Sequence, residues 1–209
     1  MLFNSYEFLL LFLPVTLIVY LLCRRYDRHD WGLTWLVFAS LFFYAWWNPR
    51  YLPLILGSMA ANHALGRVLS RHPAPSRTGR LWLIAGIVGN LALLGYYKYA
   101  GFLLGNLNAL TGDHYVVGEI VLPLAISFFT FLQIAYIVDA YRGLAREYSF
   151  FRYCLFVTFF PHLIAGPIVH HSELLPQFDT QTRRPYRLWY LAAGLAVFAI
   201  GLVKKAVFA

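Results

Sequence analysis

The sequence is poor in charge and in cysteine. Only 12% of its 209 residues are charged and 60% are apolar, whereas soluble domains average about 25% charged and about 45–50% apolar. The two cysteines, Cys23 and Cys154, have no C-x-x-C spacing and are too few for a disulfide framework. This composition argues against a soluble enzyme, a disordered tail and a secreted disulfide scaffold. It indicates a chain whose solvent is the lipid bilayer.

Acidic residues are scarcer than basic ones, with 9 Asp and Glu against 17 Lys and Arg, a formal net charge of +8. In a soluble protein this excess would suggest nucleic acid, but no clustered basic face is visible here. In a membrane protein the excess is typical of cytoplasmic loops. We therefore expect the lipid bilayer, and no nucleic acid, as a partner.

The known catalytic signatures are also missing. The sequence contains no H-E-x-x-H, no G-x-S-x-G and no Walker loop. His162, His170 and His171 do not have the spacing of metal ligands. The sequence alone therefore shows no complete catalytic constellation, and we expect no metal site and no bound cofactor in this chain.

Long apolar runs are abundant, and they predict an all-α, polytopic transmembrane protein with a single membrane domain over residues 1–209. A bilayer core of about 30 Å needs about 20 apolar residues in a helix. Runs of this kind cover Phe8–Cys23, Trp31–Trp47, Tyr51–Leu69, Leu81–Leu104, Glu119–Val138, a sixth segment from Tyr153 and a seventh from Leu188 to the end.

The basic residues predict the orientation of these spans. If every span crosses, the first five loops place ten basic residues on one side of the membrane and only Arg50 and Lys98 on the other. The ten are Arg24, Arg25, Arg28, Arg67, Arg71, Arg77, Arg80, Arg142, Arg146 and Arg152. Because cytoplasmic loops carry the excess of Lys and Arg, we expect the N-terminus outside.

One loop breaks this pattern. Ser172–Arg187 carries three arginines, yet a sixth crossing would place it outside. Either the rule fails once, or Phe160–His171 enters the membrane and returns. Pro161 and Pro167 each lack a backbone donor and Gly166 loosens the chain, so we favour a re-entrant segment. A non-helical backbone at membrane depth is tolerated only where it is buried in protein or lines a water-filled cavity.

Polar side chains inside the apolar runs are the candidate buried polar residues. Each is a functional hypothesis, because ionisable and amide groups are costly in lipid. The alternative is structural: hydrogen bonding between helices, or an interfacial charge pair for the acid near a span end. The candidates are Asn62, His63, Gln133 and Asp139.

His162 lies inside the segment FFPHLIAGPI, next to Pro161. A histidine in a broken membrane segment could move protons near neutral pH. It could equally donate one ring N–H to a carbonyl freed by the break and so lock the segment.

Five segments of the sequence carry recognisable motifs: Phe43–Trp47, Gly95–Phe102, Leu122–Gly143, Phe160–Ile168 and Gly201–Ala209. The most specific motifs are PLAISFFTF, VDAYRG and FPHLIAGP, in that order. Together the five resemble the membrane-bound O-acyltransferase family, in particular its bacterial alginate O-acetylase branch.

The resemblance implies a multi-pass enzyme of the bacterial inner membrane. Such an enzyme moves acetyl groups from a cytoplasmic thioester donor of the acetyl-CoA type toward an exported polysaccharide such as alginate, with periplasmic acetylation partner proteins. A buried tunnel excludes water, and an interior histidine acts as general base. The candidate tunnel or re-entrant residues are Pro161, His162, Gly166 and Pro167.

The sequence departs from this family in one respect. The hallmark histidine of the family lies in the second half of such proteins and has no match before Ala209. We therefore expect the N-terminal part of an O-acyltransferase, which needs a C-terminal half or a partner chain. The alternatives are a proton-coupled transporter or flippase-like protein, based on His63, Asp139 and His162, and an inactive membrane scaffold.

Overall fold

The computed structural model describes residues 2–26, 28–111, 120–144, 149–163, 166, 174, 178 and 188–208. These ranges are helical and contain no strand, so the all-α prediction is confirmed. The chain divides into two compact units: Met1–Trp35 with Pro176–Ala209, and Leu36–Leu175. The single membrane domain expected from the sequence stays a prediction.

The first unit is built from apolar helices. A π-helical turn, Glu7–Phe12, continues into α1 (Leu13–Arg25), and α2 (His29–Ala45) begins here and runs on into the second unit. The last helix is α9 (Leu188–Phe208), numbered after the helices of the second unit. Phe8 is buried, and its ring centroid lies 6.5 Å from that of Phe198.

The second unit contains most of the buried polar residues. Its helices are α3 (Leu52–Arg71), α4 (Arg77–Leu94), α5 (Ala100–Thr111), α6 (Ile126–Tyr141), α7 (Phe150–Thr158) and the short α8 (Phe160–Leu163). A 3₁₀ turn, Pro49–Tyr51, precedes α3, and a π-helical turn, Gly95–Tyr99, joins α4 to α5.

Two of the described helices are long and apolar enough to cross a membrane. They are Glu7–Arg25, with 19 residues, and the continuous helix Arg77–Thr111, with 35 residues. Both cover runs that the sequence predicted as spans, which is consistent with a membrane protein. The full set of crossings and the re-entrant segment stay predictions.

The fifth predicted span starts later than its apolar run. Helix α6 begins at Ile126 because Ala125 has a φ of 58°, a left-handed conformation that a right-handed helix cannot continue through. Only 16 residues are therefore helical. The apolar run alone does not reveal this boundary.

Helix α6 is the core of the second unit. Ile126, Phe129, Gln133 and Tyr136 are buried at the spacing of one helix face, and both α3 and α4 pack against this helix. The close approach of α3 to α6 depends on Gly66, where an added Cβ would lie 2.4 Å from Cε1 of Tyr136.

Replacing Gly66 with alanine is expected to destabilise the protein by about 1–2 kcal/mol, because the new methyl group overlaps the Tyr136 ring. The matched control is Gly57→Ala on the same helix, where an added Cβ meets nothing within 4 Å. That control should gain about 0.5–1 kcal/mol from helix propensity. Thermal unfolding in detergent micelles measures both, and equal melting temperatures would contradict the packing described here.

Candidate functional site

A break in the backbone separates α7 from α8. The break is at Phe159, whose ψ of 108° ends the helix. In a continuous helix the N–H of Phe160 would donate to the carbonyl of Phe156. Instead it donates to Oγ of Ser40 on α2, at 3.3 Å. The Ser40 hydroxyl in turn donates to the carbonyl of Leu36 at 2.7 Å, so α2 holds the break in place.

His162 occupies the acceptor that this break leaves free. Its Nε2 lies 3.1 Å from the carbonyl oxygen of Phe156. Because a carbonyl can only accept, the facing nitrogen carries the proton. The ring packs between Phe128 and Phe159, with centroids 5.7 and 5.6 Å away, and the residue is buried. This contact corresponds to the structural interpretation of His162, and a role in proton transfer stays a prediction.

Gly166 closes the turn that follows α8. Its N–H donates to the carbonyl of His162 at 3.0 Å. A Cβ added at Gly166 would lie 2.3 Å from Cβ and 2.4 Å from Cα of His162, so only glycine fits here. Pro161 stands in the first turn of α8, where a missing N–H costs nothing. Pro167, His170 and His171 lie outside the described residues, and so does most of Ser172–Arg187.

A cluster of amides joins α3, α4 and α6 in the interior of the second unit. Asn62 and Asn90 form a reciprocal pair: Nδ2 of Asn62 donates to Oδ1 of Asn90 at 3.1 Å, and Nδ2 of Asn90 donates to Oδ1 of Asn62 at 2.7 Å. Oε1 of Gln133 accepts from Asn62 at 2.5 Å and from the Ser58 hydroxyl at 2.7 Å. We call these four residues the amide cluster.

Several buried polar atoms near these helices have no hydrogen-bond partner within the described residues. Leaving such an atom unpaired costs about 1–3 kcal/mol, so native interiors hold few of them. The atoms are Nε2 of Gln133, Nδ1 of His63, Oγ1 of Thr130 and the hydroxyls of Tyr44 and Tyr153.

A cleft of about 460 Å³ opens between α3 and α4 beside the amide cluster. Ser58, Asn62 and Asn90 form its polar lining, and the remaining lining residues are small or apolar. Gly57 and Gly89 border open space, because an added Cβ at either meets nothing within 4 Å. The cleft therefore presents amide and hydroxyl groups between apolar walls.

The structure brings together only two of the four predicted buried polar residues. Asn62 and Gln133 are in direct contact, as the amide cluster shows. His63 is turned toward α7, where its ring lies 5.4 Å from those of both Phe150 and Tyr153. Asp139 is half-buried in the last turns of α6. Among the described residues, no three His, Cys, Asp or Glu side chains converge as a metal site.

Three residues that contribute to the candidate site were not predicted from the sequence. Asn90 lies within the fourth apolar run and could have been found by the rule that singled out Asn62. Ser58 and Ser40 carry no such signal, because a serine in a membrane helix commonly bonds its own backbone. Only the fold brings Ser40 to Phe160, 120 residues along the chain.

Replacing His162 with leucine is expected to destabilise the protein by about 1–2 kcal/mol, because the Phe156 carbonyl loses its donor in a buried place. The control is His72→Leu, since Nδ1 of His72 also contacts a backbone carbonyl, that of Val68 at 3.1 Å, but is exposed. Unfolding in detergent compares the two. A control as damaging as His162→Leu would contradict the role assigned to the break.

Residues 111–209 match the model of the MBOAT, membrane-bound O-acyltransferase family. The resemblance stated from the motifs is confirmed. No solved structure matches the chain.

Three bacterial proteins are similar to this chain over nearly its whole length. The chain is 42% identical to the peptidoglycan O-acetyltransferase of Helicobacter pylori, over 100% of this chain and 44% of that protein. It is 38% identical to the probable alginate O-acetylase of Pseudomonas aeruginosa, over 98% of this chain and 39% of that protein. It is 37% identical to the probable alginate O-acetylase of Azotobacter vinelandii, over 98% of this chain and 41% of that protein. The chain thus spans about two-fifths of their length and corresponds to their N-terminal part.

Proposed function

We propose that this chain forms the N-terminal part of a membrane O-acetyltransferase that modifies an exported glycan. The observation that carries the proposal is the similarity over essentially the whole chain to proteins named for acetylating peptidoglycan and alginate. Both are glycans outside the cytoplasm, although their sugars differ. The shared element is therefore the delivery of an acetyl group to a glycan hydroxyl.

Acetyl transfer from a thioester to a hydroxyl needs a base and a dry path. The base takes the hydroxyl proton as the oxygen attacks the carbonyl carbon, and the thiolate leaves. Water must be kept out, because it competes for the same carbonyl. We assign to this chain the scaffold and part of the path, with the break at Phe159 and the amide cluster as its polar wall. The general base and the remaining wall belong to the part that corresponds to the relatives' later residues.

The distribution of charge supports the proposed placement in the membrane. Arg71 and Arg77 lie at one end of the α3–α4 pair, whereas Arg50 and Lys98 flank its other end. With the arginine-rich end in the cytoplasm, a thioester donor of the acetyl-CoA type would enter from that side. The acceptor glycan and periplasmic partner proteins would meet the opposite side. This is the arrangement of a multi-pass protein of a bacterial inner membrane.

A chimera tests the proposal. The N-terminal part of the Helicobacter pylori relative is replaced by this chain and expressed in cells that lack glycan O-acetylation. We expect ester-linked acetate on the cell-wall glycan from the chimera, and none from this chain expressed alone. Co-expression with the separate C-terminal part of the relative should also restore acetylation. A well-expressed chimera that acetylates nothing would favour the inactive scaffold, and acetylation by the chain alone would contradict the division of roles.

The transporter alternative has less support. It rested on His63, Asp139 and His162 as a proton path, but His162 donates to a backbone carbonyl and His63 packs on other rings. Each of the relatives named above is an acetylating enzyme by name. Proton-driven flux in liposomes that contain only this chain would restore the alternative.

A further inference from the structure

A groove opens in the first unit where α1 ends and α2 begins. Its volume is about 610 Å³. The side chains that line it are apolar or aromatic apart from one cation, and the proposed acetyl transfer assigns them no role. The lining residues are Val19, Leu22, Cys23, Tyr26, Arg28 and Trp31.

Contacts between α1 and α2 fix the shape of this groove. The indole N–H of Trp35 donates to the carbonyl of Thr16 at 3.0 Å, which ties α2 to α1. At Gly32 the two helices are so close that an added Cβ would lie 3.4 Å from Cδ2 of Tyr20 and 3.5 Å from Cβ of Cys23. The groove is therefore bounded by two helices that are held against each other.

Arg28 is held beside the groove by its backbone. Its N–H donates to the carbonyl of Cys23 at 2.8 Å, and its own carbonyl accepts from the N–H of Gly32 at 3.1 Å. The residue is exposed, and among the described residues its guanidinium has no hydrogen-bond or ion-pair partner. A guanidinium binds phosphate through charge-assisted, often bidentate hydrogen bonds. Arg28 therefore offers an anion-binding group next to an apolar groove.

The groove lies at the end of a helix, Glu7–Arg25, that is long and apolar enough to cross a membrane. Tyr26 and Trp31 at this end are 72% and 65% exposed, and tyrosine and tryptophan are enriched where a membrane meets water. The segment Arg24–Asp30 carries three arginines and two aspartates, a net positive charge. A complementary occupant therefore combines an apolar chain with an anionic head group.

We propose that this groove binds one anionic glycerophospholipid, with an acyl chain along Val19 and Leu22 and the phosphate on Arg28. Basic pockets between membrane helices are suited to anionic lipid head groups. A zwitterionic lipid has the same chains, but its own cation offsets the attraction of the phosphate to Arg28. The proposal goes beyond acetyl transfer and does not depend on it.

Thermal unfolding of the purified chain in a neutral detergent tests this inference. The probes are palmitoyl-oleoyl phosphatidylglycerol, phosphatidylcholine with the same chains, and glycerol phosphate, which has the phosphate but no chain. We expect phosphatidylglycerol to raise the melting temperature with a saturable dependence on its mole fraction, because it binds the folded chain. The other two should leave the melting temperature unchanged. An equal rise with phosphatidylcholine or with glycerol phosphate would overturn the proposal.

A pair of arginine variants tests the head-group contact. Arg28→Gln should raise the half-saturating mole fraction of phosphatidylglycerol about fivefold, the usual effect of one basic residue near anionic lipid. Arg25→Gln is the matched control, because it removes the same charge from the same end of α1 and Arg25 is not a lining residue. It should bind like the wild type. An equal loss in both variants would overturn the site in favour of a general attraction to anionic membranes.

A second pair tests the apolar part and keeps the test decisive if Arg28→Gln folds poorly. Leu22→Trp places an indole in the groove and should abolish the saturable shift. Ile18→Trp is its control, because Ile18 is 56% exposed on the same helix but does not line the groove. Phosphatidylglycerol binding that survives Leu22→Trp, or that Ile18→Trp abolishes as well, would contradict the proposed position of the acyl chain and overturn the proposal.

Discussion

Replacing Asn62 with leucine should unfold the second unit more readily than any other single amide change. The side chain of Asn62 donates to Asn90 and Gln133 and accepts from Asn90. Leucine removes these bonds and leaves two buried amides short of a partner. The expected loss is on the order of 2–5 kcal/mol, since each unsatisfied partner costs about 1–3 kcal/mol.

A control variant and a double variant together identify the cause of that loss of stability. Asn106→Leu, at an exposed position of α5, should change the free energy of unfolding by less than about 0.5 kcal/mol. The double variant Asn62→Leu/Asn90→Leu removes both members of the reciprocal pair. It should therefore cost less than the sum of the two single variants. Denaturant unfolding in micelles measures all four proteins, and strict additivity would argue against a hydrogen-bonded cluster.

Replacing Gly166 with alanine should have the second large effect. The new methyl group would overlap backbone and Cβ atoms of His162, which cannot rotate away as the end of a flexible side chain can. We expect a destabilisation on the order of 3 kcal/mol, the upper end of the usual overpacking cost. In the chimera with the Helicobacter pylori relative, the same change should abolish most of the acetylation.

Gly101→Ala is the matched control for this change, because an added Cβ at Gly101 in α5 meets nothing within 4 Å. It should leave both stability and acetylation near the level of the unmodified chimera. If Gly166→Ala folds and acetylates as well as this control, the turn after α8 is not needed for the site.

Much of the fold could be predicted from apolar length. The runs before Arg24 and after Arg80 became the two helices that are long enough to cross a membrane. The start of α6 could not be predicted, because it depends on the φ of Ala125, and alanine is an ordinary helix former. The π-helical turn at Gly95–Tyr99 has no periodic signature in the sequence either.

The candidate site was predictable in its members but not in its contacts. Asn62 and Gln133 could be identified because they are polar residues inside apolar runs, and burying such residues in lipid is energetically costly. Which residues pair depends on helix packing, and that brings Asn90 to Asn62 across 28 positions. The proline and glycine pattern indicated a break near His162, and the fold adds Ser40 as the acceptor for the freed N–H.

Acetyl transfer in proteoliposomes is the decisive test of the assignment of this chain to an O-acetyltransferase. The chimera is reconstituted with acetyl-labelled coenzyme A on one side and a glycan acceptor on the other, and ester-linked label on the glycan is counted. We expect label on the glycan with the chimera, and only background with this chain alone or with the Gly166→Ala chimera. A folded chimera that leaves the glycan unlabelled would contradict the claim that this chain is the N-terminal part of an O-acetyltransferase.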